Sequence, residues 1–382
     1  MIAQASRLNH VEEYYFSTKL KEVKALQDSG KPIINLGVGS PDLPPPPQVM
    51  LALQQALLNP DAHQYQPYRG TADFRRAIGE FYQNFYEVTL NTENEILPLM
   101  GSKEGITHIS MAFLNDGDEV LIPNPGYPTY EAVSRLVGAK SVMYDLSEDT
   151  GWLPDFEELE KKDLRRVKLM WVNYPNMPTG AAAKKDLFER LITFGKKHSI
   201  LIVNDNPYSF ILNEEPQSIL KYSDNMEGVM ELNSLSKSFN MSGWRIGMLC
   251  GSEQLINSVL KVKTNMDSGM FLPLQAGAAM ALRLPQEWFS DQNKIYLRRK
   301  EEVLKLASIL GCSFSEDQTG MFLWCRVPTG TTSETFVDHL LQQYHIFAAP
   351  GFIFGSQGEG YIRFSLCATE ENISKACKRL KA

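Results

Sequence analysis

The chain is poor in the features that mark specialised protein classes. Cysteine is scarce: Cys250, Cys312, Cys325, Cys367 and Cys377 are odd in number, scattered and without a C-x-x-C pair. That excludes a disulfide framework and a cysteine zinc site, and leaves reduced structural thiols expected of a cytoplasmic protein. No basic run is present, and 38 Lys and Arg against 45 Asp and Glu give a net charge of −7. The electrostatic footprint of a nucleic-acid binder is therefore missing. No apolar run approaches the ~18 residues that a membrane helix needs. Met1 to Asn9 has no apolar core of the kind a secretory signal carries. Repeats and low-complexity tracts are absent, apart from the prolines Pro44 to Pro47. A dinucleotide fingerprint is absent too, because Gly37-Val38-Gly39 runs into prolines where a helix should open.

What is present is ordinary globular material, 43% hydrophobic and 22% charged over 382 residues. At roughly 150 residues per domain, that length suits about two domains. Val11 to Gln27 is helix-like and stops at Gly30-Lys31-Pro32, and the proline run after it is expected to be extended. Short apolar runs follow at Ile96–Met100, Glu119–Ile122, Ser141–Tyr144, Lys168–Asn173, Ile200–Asn204 and Val229–Leu232. Helical patterns lie between several of them, at Lys103–Phe113, Tyr127–Val137 and Lys184–His198. This alternation predicts an α/β fold with a mostly parallel sheet flanked by helices. From about Leu284 the pattern changes to a long charged helix, Asp291 to Leu310, then Met321–Val327, Thr335–Tyr344 and Tyr361–Ser365. These read as a smaller α+β domain, so 41–283 forms the large domain and 284–382 the small one. Pattern alone leaves the first helix unassigned.

Ligands in open α/β sheets sit beyond the carboxyl ends of the strands, so the residues just after each strand matter most. Gly101-Ser102-Lys103 opens a helix and suits a phosphate cradle, or an ordinary serine cap. Pro123 to Pro128 presents Tyr127 at the sheet edge, as a stacking ring or a packed core residue. Asp205-Asn206-Pro207-Tyr208 places a carboxylate at a buried strand end, where it needs a ligand cation, a salt bridge or a cap. Lys237 sits among Ser234, Ser236 and Ser238, the setting of an amine nucleophile with lowered pKa, although a solvated lysine is the commoner case. Arg363 lies on a half-buried strand, suited to a bidentate carboxylate grip or to an interdomain ion pair.

Taken together, these segments resemble the fold-type I pyridoxal-phosphate (PLP) enzymes of aminotransferase class I/II. The resemblance runs through 35–42, Tyr65 to Gly70, Gly101 to Ile106, Pro123 to Tyr130, Asn173 to Gly180, Asp205 to Tyr208, Ser234 to Gly247 and Tyr361 to Leu366. The eight-residue spacing from Lys237 to Arg245 is its most specific element, and the wording Gly-Ser-Lys-Glu-Gly and Asn-Pro-Gly-Tyr-Pro is nearest the branch holding LL-diaminopimelate and some aspartate aminotransferases.

The resemblance implies a role for each position. Lys237 would hold PLP as a Schiff base and move a proton, Asp205 would pair with the pyridinium nitrogen, and Tyr208 would bond the cofactor's ring oxygen. Tyr127 would stack on the ring, and Ser102, Lys103, Ser234 and Arg245 would bind its phosphate. Tyr65 would reach the phosphate of a neighbouring subunit, implying a homodimer with a shared active site. Arg363 would grip the substrate carboxylate, with Gly39 in the loop that closes over it. Residues 1–40 would join the small domain. One position departs: Met177 precedes Pro178-Thr179-Gly180 where the family usually has Asn. Methionine cannot donate a hydrogen bond, so the Schiff base is expected to hold its proton more tightly, unless Asn176 compensates at the cofactor.

The implied activity is transfer of an amino group from an amino acid to a 2-oxo acid. Arg363 favours it over α-decarboxylation. The rivals are a PLP lyase, such as a carbon–sulfur β-lyase, and a non-catalytic PLP-binding module, against which the intact Lys237 argues. Thr264 to Leu282 holds no Lys or Arg but carries Met266, Met270 and Phe271, which tilts the substrate toward neutral or aromatic side chains. Arg69 and Lys19 are the cations able to reverse that tilt.

Overall fold

The computed structural model describes residues 2–10 and 15–381. Its strands in chain order are β1 (Ile34–Asn35), β2 (Ile96–Leu99), β3 (Glu119–Asn124), β4 (Lys140–Asp145), β5 (Val167–Val172), β6 (Leu201–Asp205), β7 (Val229–Ser234), β8 (Gly247–Gly251), β9 (Phe322–Arg326), β10 (Ile346–Phe347), β11 (Ala349–Pro350) and β12 (Tyr361–Ser365). The six runs read as strands in the sequence are β2 to β7. With β8 they form a seven-stranded sheet in the order β2-β8-β7-β6-β5-β3-β4. All neighbours from β7 to β4 are parallel, and only β8 runs against the strands beside it.

Successive side chains of a strand point to opposite faces, and the apolar residues divide accordingly. Leu121, Met170, Val172 and Ile202 enter one core cluster. Val120, Ile122, Leu169, Trp171 and Val203 enter another on the opposite face. A sheet apolar on both faces must be covered on both, which is why its strands read as continuous hydrophobic runs. β8 escapes that signal because glycines bound it and leave only Met248, Leu249 and Cys250 as its apolar run. Gly247 has a steric reason: a Cβ there would lie 2.8 Å from the Ser102 amide nitrogen and 3.0 Å from the Asn233 carbonyl.

The helix α1 (Tyr15–Asp28) occupies most of the first expected helix, whose initial residues 11–14 lie outside the described residues. The proline run departs from expectation. Pro44 to Pro46 are non-helical, but Pro47 opens α2 (Pro47–Leu57). A first helical position needs no N–H donor and suits proline's fixed φ, so the run ends in a helix instead of an extended segment. Next comes α3 (Ala72–Tyr86), capped by Thr71, whose Oγ1 accepts from the Phe74 amide at 3.3 Å. The long C-terminal helix covers Gln286–Ile309 and so begins before the expected Asp291.

The remaining strands build an antiparallel sheet, β11-β12-β9, and a parallel pair, β1 with β10. A third apolar cluster joins Phe16, Val23, Ile34 and Leu36 from the N-terminal segment to Trp324, Val337, Phe347 and Phe364 from the C-terminal third. The first helix is thereby placed on the C-terminal elements. Arg299 fixes the connection onward: it is buried and grips Asp42 bidentately at 2.7 and 2.9 Å while donating to the Leu366 carbonyl at 3.1 Å. That clamp sets the loop between β1 and α2, which includes Gly39. No helix among the described residues is long and apolar enough to cross a membrane.

Candidate active site

The strands β2, β3, β5, β6 and β7 end at one edge of the main sheet, and a cavity of about 360 Å³ opens there. Gly39, Ser102, Lys103, Tyr127, Asp205, Tyr208, Ser234, Lys237, Arg245 and Arg363 all line it. Tyr65 and Asn176 do not.

One part of the lining is built for an anion. Helix α4 (Ser102–Phe113) is preceded by Gly101 at φ +86°, with no side-chain cap, so Ser102 is its first helical residue and not the serine cap. The Ser102 and Lys103 amides then have no intrahelical acceptor and point out of the helix start. Arg245 lies against this turn so closely that a Cβ at Gly101 would overlap its Nη2. Its Nη1 donates to the Ser242 carbonyl at 3.2 Å and to Ser236 Oγ at 3.4 Å. Ser234, buried at the end of β7, adds a hydroxyl. Two cations, a helix start and several hydroxyls make a site for a doubly charged anion.

Asp205 ends β6 and is buried. Its Oδ2 accepts from the Tyr130 hydroxyl at 2.9 Å, while the equally buried Oδ1 has no partner. Burial raises the carboxyl to about 6, partly offset by the Tyr130 bond. An orphaned carboxylate oxygen calls for a cationic N–H, because leaving it buried and unpaired is costly. Tyr130 is held by stacking on Trp171, with centroids 5.0 Å apart and planes 6° apart. Tyr127 meets Tyr130 edge-on at 5.6 Å, and Tyr208 meets Phe322 at 5.7 Å. Burial pushes both the Tyr127 and Tyr208 phenols up, which keeps them protonated at neutral pH.

Lys237 Nζ donates to the Gly39 carbonyl at 2.5 Å. Burial lowers its amine to about 8, with the nearby Arg363 and Arg245 charges acting in the same direction. At neutral pH it therefore supplies far more free base than an ordinary lysine does. Arg363 is held flat: Nη2 donates to the Gly37 carbonyl at 3.0 Å, Nη1 lies 3.1 Å from Met177 Sδ, and the Phe322 ring centroid is 3.9 Å from the guanidinium carbon.

Asn176 corrects one sequence expectation. Its Oδ1 accepts from the Thr179 hydroxyl at 2.7 Å and the Thr179 amide at 3.3 Å, and its Nδ2 donates to the Asn173 carbonyl at 3.2 Å. The side chain closes the turn and is spent there, so it does not compensate for Met177 at the cavity wall. Asn173 is the amide that reaches the lining; it donates to the Asp205 carbonyl at 2.6 Å and accepts from the Met177 amide at 2.8 Å. The strand-end reasoning that selects Asp205 selects Asn173 equally, at the end of β5. Tyr130, three residues after Tyr127 and in the first turn of the helix Thr129–Leu136, is a further omission. Neither flagged cation enters the cavity. Lys19 pairs with Asp338 at 2.6 Å and Glu22 at 2.7 Å, and Arg69 bonds Asn257 and the Glu93 carbonyl.

The chain is similar to known proteins over nearly its whole length. Residues 31–380 match the family Aminotransferase class I and II. An LL-diaminopimelate aminotransferase of Aquifex aeolicus is 36% identical over 383 residues, covering 100% of this chain and 99% of the relative. One from Natranaerobius thermophilus is 38% identical over 378 residues, covering 98% of each. Among solved structures, apo-BacF from Bacillus subtilis superposes with a TM-score of 0.96 at 36% identity, covering 100% of this chain and 98% of that one. The chain is an enzyme belonging to the class I and II aminotransferases, with the α/β architecture of fold type I.

Proposed function

We propose that the enzyme uses pyridoxal 5′-phosphate to take the amino group of one amino acid, releasing its 2-oxo acid, and to give that group to a second 2-oxo acid. The observation that carries this reading is the orphaned, buried Asp205 oxygen in the same cavity as the anion cradle of Ser102, Lys103, Ser234 and Arg245. A ring with a protonated nitrogen and an ionised phosphate satisfies both. When bound, the cofactor supplies an aldehyde carbon and a ring that accepts electron density from the substrate.

The protein's own groups do the rest. A cation beside Asp205 reverses the effect of burial, so the carboxylate stays ionised and keeps the ring nitrogen charged. The protonated Tyr208 phenol is a hydrogen-bond donor for the ring oxygen, and Tyr127 supplies an aromatic face. Lys237 would hold the cofactor through Nζ, and as a free amine it would move the proton at the substrate α-carbon. Arg363, oriented by Gly37 and Phe322, grips the α-carboxylate and so retains it. The described residues of 1–40 and of 284–382 are assigned to a small unit beside this site, and 41–283 to the large one. The relatives' names put LL-diaminopimelate among the donors to test.

Borohydride treatment of the protein with PLP is expected to leave a stable adduct on Lys237, located by peptide mass mapping. The yield should rise as pH passes through about 8, where the lowered amine loses its proton. An adduct on another lysine, or a yield that rises only in the ordinary lysine range, contradicts the assignment.

The same reading makes the active unit a homodimer. Tyr65 is 90% exposed, Met266 57% and Phe271 43%. Their loops adjoin, since a Cβ at Gly269 would overlap the Gln66 carbonyl. Exposed aromatic and apolar side chains of this kind are suited to a second copy, with Tyr65 completing its neighbour's phosphate site. Sedimentation equilibrium is expected to give twice the chain mass, and a monomer that retains full activity would exclude the shared site.

A further inference from the structure

The side of the cavity next to Arg363 has a composition that the amino-transfer reaction alone does not require. Phe16 and Leu20, four residues apart on α1 and hence on one face, both line it, together with Val38, Met177 and Phe322. Phe16 lies 5.8 Å from the Arg363 guanidinium and Phe322 lies 3.9 Å from it. Among the described residues, the lining offers no carboxylate besides Asp205 and no cation besides Lys103, Lys237, Arg245 and Arg363. Each of these has a place in the cofactor and α-carboxylate machinery proposed above. Lys19, on the same helix, is turned away into its pairs with Asp338 and Glu22. A substrate side chain ending in a charge would find no partner for that charge among the described residues that this chain contributes to the wall.

We infer that the donor's side chain is apolar, aliphatic or aromatic, and that Phe16 and Leu20 of α1 select it. This rests on the PLP-dependent reading and adds the substrate class to it. Donors ending in a carboxylate or in an amino acid head group are discriminated against, despite the names of the relatives.

The test is the half-reaction of the PLP-reconstituted protein with leucine, phenylalanine, alanine, aspartate and LL-2,6-diaminopimelate in turn, followed by absorbance. The specificity constant for leucine or phenylalanine is expected to exceed that for aspartate and for diaminopimelate by about 100-fold, the scale at which a pocket rejects an unpaired polar group. Phe16→Ala and Leu20→Ala should each lower the ratio of leucine or phenylalanine to alanine by roughly 10-fold, as expected for lost apolar contact. Leu20→Lys should raise the ratio of aspartate to leucine. A wild-type preference for aspartate or diaminopimelate overturns the inference while leaving PLP chemistry standing. So does a uniform loss across all donors in the three variants, which would mark the two side chains as structural only. A reconstituted protein that reacts with no donor overturns the parent reading as well.

Discussion

Lys237→Ala is expected to lower kcat/KM by about 10⁴-fold or more, because one substitution removes both the covalent anchor and the group that moves the α-proton. PLP should still bind, since Ser102, Lys103, Ser234, Arg245 and Asp205 are untouched. The loss is therefore expected in kcat, with the visible spectrum shifted to that of cofactor held without a lysine bond. Lys237→Arg should not rescue the rate, because a guanidinium keeps its proton at any working pH. A small primary amine added to the alanine variant is expected to restore part of the proton transfer. An alanine variant within 10-fold of wild type would remove Lys237 from the centre of the chemistry.

Asp205→Asn is expected to reduce activity by about 10²–10³-fold. The carboxylate and the ring nitrogen would form a buried ion pair, and removing one partner of such a pair costs about 3–5 kcal/mol. Tyr130 can still donate to the amide oxygen, so the fold should be preserved and the loss assigned to charge. The same residue makes a pH-dependent prediction about stability. Its folded pKa, about 6, lies above the ordinary 3.8, so cofactor-free protein holds a proton there that the unfolded chain has lost. That contribution is fully present below the ordinary value and disappears as pH rises through about 6. PLP should lessen the decline by supplying the cation, and Asp205→Asn should lessen it without PLP, the remainder belonging to the buried Glu231 carboxyl, which burial raises to about 7. Thermal melts of the three forms from pH 4 to 8 check this; a decline unchanged by the substitution would assign it to another group.

How much of this was legible in the sequence depended on how local the determinant is. The six parallel strands were visible because each is apolar on both faces, and Lys237 to Arg245 because they share one loop. β8 was not, since its partners β2 and β7 supply the context that makes Gly247–Gly251 a strand. Asn176 and Asn173 show the limit at the site itself. Chain adjacency to Met177 favoured Asn176, but the turn consumes that amide and brings Asn173 to the wall. Pro47 misled for a related reason: proline bars a helix interior but not a helix start. The specificity wall was invisible because Phe16 and Leu20 precede the rest of the cavity by many residues and reach it only through packing on the C-terminal elements.

The central claim is a two-stage amino transfer through cofactor held by Lys237. Its most direct test is the absorbance of the PLP-reconstituted protein during one turnover, with ammonia and 2-oxo acids assayed in the same sample. An amino donor should remove the visible band and release one equivalent of its 2-oxo acid without ammonia, and a second 2-oxo acid should restore the band. Release of ammonia together with the 2-oxo acid, with the visible band unchanged, would contradict transamination and assign the site to elimination.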